Sequence, residues 1–254
     1  MSWLYLNLLV DYYTERRENI LQRRINIPVT EGLLQTPTAN VGIAKGHGVD
    51  ISLDYNESWA NGLWLSLRGN FTYAVSEFEY YEDVDRTETP WLNRTGRSTT
   101  QTWGYVAERL FIDQADVNNS PIQTFSTYGP GDIKYRDINN DGQISFDDQV
   151  PIGNPTRPEI VYGFGFSAGY KGFDLSSFFQ GLANESFFIN PSIIQPFVRN
   201  QGGKNALLQV ISDDHWSESN PDPKAFWPRL TDRSLANNEA TSTWWMRDGS
   251  FLRL

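Results

Sequence analysis

The rhythm of its connections constrains this chain more than any single motif. Six segments alternate apolar and polar residues with period two, the mark of β-strands with two unlike faces. In the first, Leu4, Leu6, Leu8, Val10 and Tyr12 share a face. In the second, Val49, Ile51, Leu53 and Tyr55 alternate with Asp50, Ser52 and Asp54. In the third, Leu63, Leu65, Leu67, Phe71, Tyr73 and Val75 lie opposite Trp64, Ser66, Arg68, Asn70 and Thr72. The fourth sets Ile160, Tyr162, Phe164, Phe166, Ala168 and Tyr170 against Gly163, Gly165, Ser167 and Gly169. The fifth begins at Phe173, with Leu175 and Phe179 against Asp174, Ser176 and Gln180. The sixth starts near Trp244 and runs to Leu254. Between them lie, in order, roughly 14–42, Asn56–Asn61, roughly 80–158, Lys171-Gly172 and roughly 182–242. Long and short connections alternate strictly.

Compact soluble domains rarely hold structureless links of that length. Outer-membrane barrels hold them routinely, with short periplasmic turns and long external loops. Strands of about ten residues match a tilted membrane strand. The pattern therefore predicts an all-β fold, an antiparallel up-and-down transmembrane β-barrel segment of about six strands filling residues 1–254. The 80–158 and 182–242 links are expected outside the cell. The competing architecture is a soluble β-sandwich, a calcium-dependent glycan-binding module. A sandwich turns its apolar faces towards each other; a barrel turns them outward. Six strands are fewer than the smallest single-chain bacterial barrels possess. Such an open sheet, expressed alone, is expected to aggregate through its edges and apolar face.

Composition agrees with strands that meet lipid on one face only. No stretch approaches the 18 or so apolar residues of a spanning helix, and mean hydropathy is −0.49. Aromatic residues make up 14%, which suits membrane interfaces lined with amphipathic rings. The formal charge of −10 disfavours nucleic acid and anionic surfaces but tolerates divalent cations. The chain has no Cys, which excludes disulfide scaffolds, thiolate metal sites and cysteine nucleophiles. The opening MSWLYLNLLVDYY has neither a basic region nor a small-residue cleavage site, so it is not read as a signal peptide.

One local motif carries chemistry. Asp137 to Asp148 reads D-x-N-x-D-G-x-I-x-x-x-D, the EF-type calcium loop with Asp at the twelfth position. Asp137, Asn139 and Asp141 would present side-chain oxygens as the chain curls, and Gly142 permits the curl. Gln143 would offer its backbone carbonyl, Ile144 would anchor the loop, and Asp148 would close the shell. The expected ion is a structural Ca2+ pinning a long loop. The bland alternative is an acidic loop of Asx-turns without metal. Trp91, Trp216 and Trp227, with Trp244 and Trp245, are candidate sugar platforms; the alternative is loop packing or an interface girdle. Leu207, Val210 and Ile211 in Asn205–Trp216 suggest a short helix packing the loop. Gly163, Gly165 and Gly169 leave one strand face bare, a packing or lumen feature. His47 and His215 stand outside any HExxH frame, and no G-x-S-x-G occurs. No enzyme is expected.

Several strings together resemble the C-terminal barrel portion of SusC/RagA-type TonB-dependent outer-membrane transporters of the Bacteroidetes. They are Asn40-Val-Gly with Lys45 to Leu53, Gly131 to Asp137 leading into the acidic loop, and Pro151 to Pro155. Tyr162-Gly-Phe164, Tyr170 to Leu175, Ser177 to Gly181, His215-Trp216, Asn220-Pro221, Pro228-Arg-Leu230 and Arg247 to Leu254 follow in the family's order. The resemblance does not extend to the family's plug domain, TonB-box region and remaining strands, which are not expected within residues 1–254. The resemblance implies an outer-membrane location in contact with lipid, import of glycan or peptide oligomers through TonB, and a SusD-like lipoprotein cap.

Overall fold

The computed structural model describes residues 3–25, 36–84, 86–197, 199–200 and 203–254. Six strands form one antiparallel sheet: β1 (Trp3–Arg23), β2 (Thr38–Ser58), β3 (Trp64–Tyr80), β4 (Ile160–Tyr170), β5 (Phe173–Ala183) and β6 (Phe251–Arg253). Spatial order follows chain order, so the sheet is an up-and-down meander. Among the described residues β1 and β6 each keep one unpaired edge, and the sheet is open.

Register fixes the two faces. Tyr12 pairs with Val49 and Val49 with Tyr73; Val10 pairs with Ile51 and Ile51 with Phe71. Phe71 then pairs with Tyr162, and Leu67 with Phe166. The apolar residues thus form one continuous face. Among the described residues no second layer covers it: Leu6 is 62% exposed, Tyr12 71% and Phe173 84%. A sandwich would bury these residues. Further along the same face the character changes. Arg16, Lys45 and Glu77 fall in one cross-strand row, tied by Lys45–Glu77 at 2.9 Å and Arg16–Glu79 at 2.9 Å. An apolar band that ends at ion pairs is what a lipid boundary requires, because charges belong in the headgroup layer and above.

The opposite face is polar, with Asn7, Asp54, Arg68 and Gly165 in one row. The strand glycines are not bare there. A Cβ on Gly163 would lie 2.9 Å from the Phe178 ring and one on Gly165 2.8 Å from it. A Cβ on Gly169 would collide with the Trp64 indole. The glycines make room for two rings that lie across the sheet, an arrangement a bulkier residue would prevent.

Strand lengths correct the expected boundaries. β1 and β2 have 21 residues each, about 70 Å at roughly 3.3 Å per residue. The polar stretch beginning at 14 is therefore largely strand, and the hairpin stands well above the ion-paired row. Residues 26–35 of that expected link lie outside the described residues. At the other end the turns are tight. Gly62 has φ 83° with its N–H on the Trp59 carbonyl at 3.0 Å. Lys171 and Gly172 have φ 49° and 84°; two positive values form the hairpin turn whose twist suits the flanking strands.

The two longest links are also not structureless. They fold together into one lobe at the end of the sheet opposite the tight turns. Its core is Tyr105, Leu110, Ile133, Tyr135, Ile144, Ile211, Trp216, Ala225, Trp227 and Trp245. Among the described residues, none of the six strands contributes to that core. Backbone hydrogen bonds stitch the links: Tyr105 N–H to the Thr241 carbonyl (2.9 Å), Leu110 to Pro223 (2.9 Å) and Arg229 to Gly131 (2.9 Å). The sixth strand is shorter than expected, because Met246–Asp248 pairs with Ser186–Phe188 inside the lobe. Trp245 is a core residue and Trp244 packs against that core. The short helix forms at Gln209–Asp213, but only Ile211 is buried, with Leu207 and Val210 facing water.

Candidate functional site

The acidic loop sits on this lobe. Asn140 (φ 60°) and Gly142 (φ 83°) supply the left-handed steps that curl it. Asp137 accepts the amides of Asn140 (2.6 Å) and Gly142 (2.8 Å). Asn139 accepts Asp141 N–H at 3.0 Å, and Asp141 accepts Gln143 N–H at 2.8 Å. Gln143 and Ile144 pair in parallel with Ile122 and Gln123, which buries Ile144 as the anchor. Asp148 is fully buried. Its two oxygens accept the amides of Ile138 and Ser145, each at 2.7 Å, so it ties the loop's exit to its entrance.

These contacts are a stack of Asx-turns. The donor set is all oxygen, as calcium prefers, and each carboxylate oxygen keeps a second lone pair. Among the described residues no three acidic or imidazole groups converge on one point. Coordination by all five would therefore need Asp148 to turn from its amides towards the curl. The donor residues match calcium in kind, and their side chains are engaged with the loop's own amides.

Beside the loop, a polar network fastens the two links. Asp132, fully buried, accepts from Arg229 Nε (2.8 Å) and Nη2 (3.0 Å), Asn238 Nδ2 (2.8 Å) and Gly129 N–H (2.8 Å). Asn238 Oδ1 accepts Ile133 N–H at 3.0 Å, and Asn237 Nδ2 donates to the Ile133 carbonyl at 2.9 Å. Gln123 accepts Tyr135 N–H at 2.7 Å, while the Tyr135 hydroxyl donates to the Asn237 carbonyl at 2.7 Å. Burial pushes the Tyr135 phenol well above its ordinary range, so it stays a donor. At the rim, Asp116 takes hydrogen bonds from Arg109 and Ile112 N–H and lies 3.3 Å from Lys134. Arg109 above all holds its carboxyl well below the usual range.

The tryptophans divide. Trp216 and Trp227 are buried in the core. Trp216 lies against Gly131, whose φ of 80° and missing Cβ admit the indole. Trp227 packs at a tilt against Trp245, with ring centroids 5.6 Å apart. Neither offers a free ring face to a sugar. Trp91 is half-buried and donates to the Asp147 carbonyl at 2.8 Å, bracing the acidic loop. Gln123, Asn237 and Asn238 lie in link stretches whose sequence has no periodicity to mark them, and Asp132, though within the Gly131–Asp137 string, carries no local sign of its burial.

Comparison with known proteins bears on this arrangement of wall and lobe. No family model matches the chain. The chain is 27% identical over 255 residues to TonB-dependent receptor P26 of Formosa agariphila, covering 96% of this chain and 24% of that protein. It is 24% identical over 263 residues to TonB-dependent receptor P3 of the same organism, covering 98% of this chain and 24% of that protein. The chain thus spans about a quarter of the length of the curated relatives it matches. Among solved structures, the RagAB peptide transporter superposes with a TM-score of 0.63 at 20% identity, covering 98% of this chain and 26% of that one. The open-open state of the RagAB peptide importer gives 0.61 at 21% identity, covering 98% and 25%. These likenesses support a SusC/RagA-type barrel segment. The shared fold is an open antiparallel meander with a lobe at one end.

Proposed function

We propose that this chain is the wall segment and external lobe of an outer-membrane transporter that imports oligomers, peptide or glycan, with energy delivered through TonB. The observation that carries the reading is the uncovered apolar face spanning β1 to β5, ended by the Arg16–Lys45–Glu77 row. Such a face is stable only against lipid, and the charged row sets where lipid stops. The names of the relatives support a receptor or importer over an enzyme. A SusD-like lipoprotein above the lobe is part of the same proposal. The acidic loop is proposed as a calcium site, with Asp137, Asn139, Asp141, the Gln143 carbonyl and Asp148 as ligands, the ion holding the lobe's rim in one shape.

Topology gives the test. Ser219 is exposed on the lobe and Lys171 is exposed in the opposite turn. In the intact transporter on whole cells, Ser219→Cys should react with a membrane-impermeant thiol reagent, and Lys171→Cys should react only after lysis. Reversed labelling would invert the orientation. Equal labelling of both sites on whole cells would remove the membrane from the reading altogether.

A further inference from the structure

A recess of about 300 Å³ opens between the polar face of the sheet and the base of the lobe. Tyr13, Gly46 and Ser76 line it from the wall, and Thr99, Thr100 and Arg157 from the lobe. A second cavity shares Glu15, Gly46, Ser76, Thr99 and Arg157 with it, so the two are continuous. Register puts Glu15, Gly46 and Ser76 in one row and Tyr13, Gly48 and Ala74 in the next, all on the interior face. Strand pairing holds the lobe base in place. Thr99 N–H reaches the Ser76 carbonyl (3.1 Å), Ala74 N–H the Glu159 carbonyl (2.8 Å) and Thr156 N–H the Thr100 carbonyl (3.2 Å). The backbone bearing Arg157 is therefore fixed from both sides.

Among the described residues, the charges in and around this recess other than Arg157 have a partner. Glu15 is held by Arg17 at 2.8 Å and Lys45 by Glu77 at 2.9 Å. Glu159 accepts Asn184 Nδ2 at 3.4 Å. The exposed Arg157 guanidinium has no ion pair and no hydrogen bond among the described residues, in a chain of formal charge −10. The Tyr13 hydroxyl also has no partner among the described residues, and it lies over Gly48, whose missing Cβ makes the space. An unpaired guanidinium and an unpaired phenol thus line one recess at the inner rim. A guanidinium is planar and recognises carboxylate through two parallel hydrogen bonds.

The geometry points to a carboxylate-recognition site, with Arg157 as the binding residue and Tyr13 as the second donor. The inference rests on the import reading above and names its substrate class: an oligomer carrying a single carboxylate, either the terminal carboxylate of a peptide or a uronate on a glycan. Glu15 and Glu159 stand in the same recess and oppose a ligand with several negative charges.

The test is equilibrium binding to the intact transporter in detergent, by calorimetry. Two probe pairs separate the sources: N-acetyl-trialanine against N-acetyl-trialanine amide, and a galactose trisaccharide carrying one galacturonate against the neutral galactose trisaccharide. The acid member of one pair should bind about tenfold or more tighter than its neutral counterpart, the scale of a hydrogen bond to a charged group. Arg157→Gln should abolish that preference, and Arg157→Lys should keep part of it. Because the Arg157 side chain has no partner among the described residues, both variants should retain the wild-type heat-modifiable band. Equal binding of acid and neutral members in both pairs, absence of binding, or a preference that survives Arg157→Gln would overturn the site. Cellular uptake of the neutral probes is read separately and bears on import alone.

Discussion

Asp132→Asn tests whether the lobe is held by its polar network or only by its apolar core. The substitution keeps the shape and removes the charge. Asp132 is fully buried and accepts four hydrogen bonds, two of them from Arg229. An amide nitrogen in place of one oxygen must face a donor, either Arg229 Nη2 with Gly129 N–H or Arg229 Nε with Asn238 Nδ2. Breaking a buried pair from one side costs roughly 3–5 kcal/mol. The Arg229 side chain is 36% exposed and recovers part of its hydration, which lowers the expected loss to about 2–4 kcal/mol. That loss raises the opening constant of the lobe about 30- to 700-fold. Limited proteolysis of the intact transporter reads it, under low protease, where cleavage tracks the open population. Quenching of Trp216, Trp227 and Trp245, all core residues, gives a second readout. Asp232→Asn is the control, since Asp232 is exposed and its Arg233 contact is 3.9 Å. Asp132→Asn combined with Arg229→Gln should cost less than the two losses added. A cleavage rate equal to that of the control would refute the network as the lobe's fastening.

Three further outcomes are expected. Asp116 titrates below the ordinary carboxylate value because of Arg109; the stability it contributes is present above about pH 4 and is lost as pH falls below that. Asp116→Asn should therefore destabilise the lobe at neutral pH and flatten its acid transition; an acid profile identical to wild type would remove the pairing from the account. Calcium titration of the intact transporter should give saturable heat that disappears in Asp137→Ala with Asp141→Ala, and unchanged heat would reject the metal and leave the Asx-turn stack. Gly165→Val places a Cβ 2.7 Å from the Ser177 carbonyl and 2.8 Å from the Phe178 ring, so it should cost about 1–3 kcal/mol by overpacking. Fully wild-type barrel yield and heat stability in that variant would show that the ring is free to move aside.

What the sequence determined was the wall. Period-two alternation needs no distant information, because successive side chains on a strand point to opposite faces whatever lies around them. Leu67, Phe71 and Tyr73 on one side and Ser66, Asn70 and Thr72 on the other declare their faces within one segment. Turn chemistry at Lys171-Gly172 was equally local, and so was the acidic curl from Asp137 to Gly142. Strand ends were less legible. Arg16 fell in the expected link from 14, and Lys45 and Glu77 lay just beyond the expected strand bounds, because a charged strand face breaks the apolar alternation while still pairing across strands. Only the tertiary structure decided the lobe. Its core joins Tyr135 to Trp245 and its network joins Asp132 to Arg229 and Asn238, contacts between links that the strands β4 and β5 separate in sequence. No periodicity marks such residues, because no regular element sets their spacing. A buried Asp132 and an exposed Asp147 look alike in sequence, and Trp227 reads as well as a ligand platform as it does as core. Burial and partners distinguish them, and both arise only when the two links fold against each other.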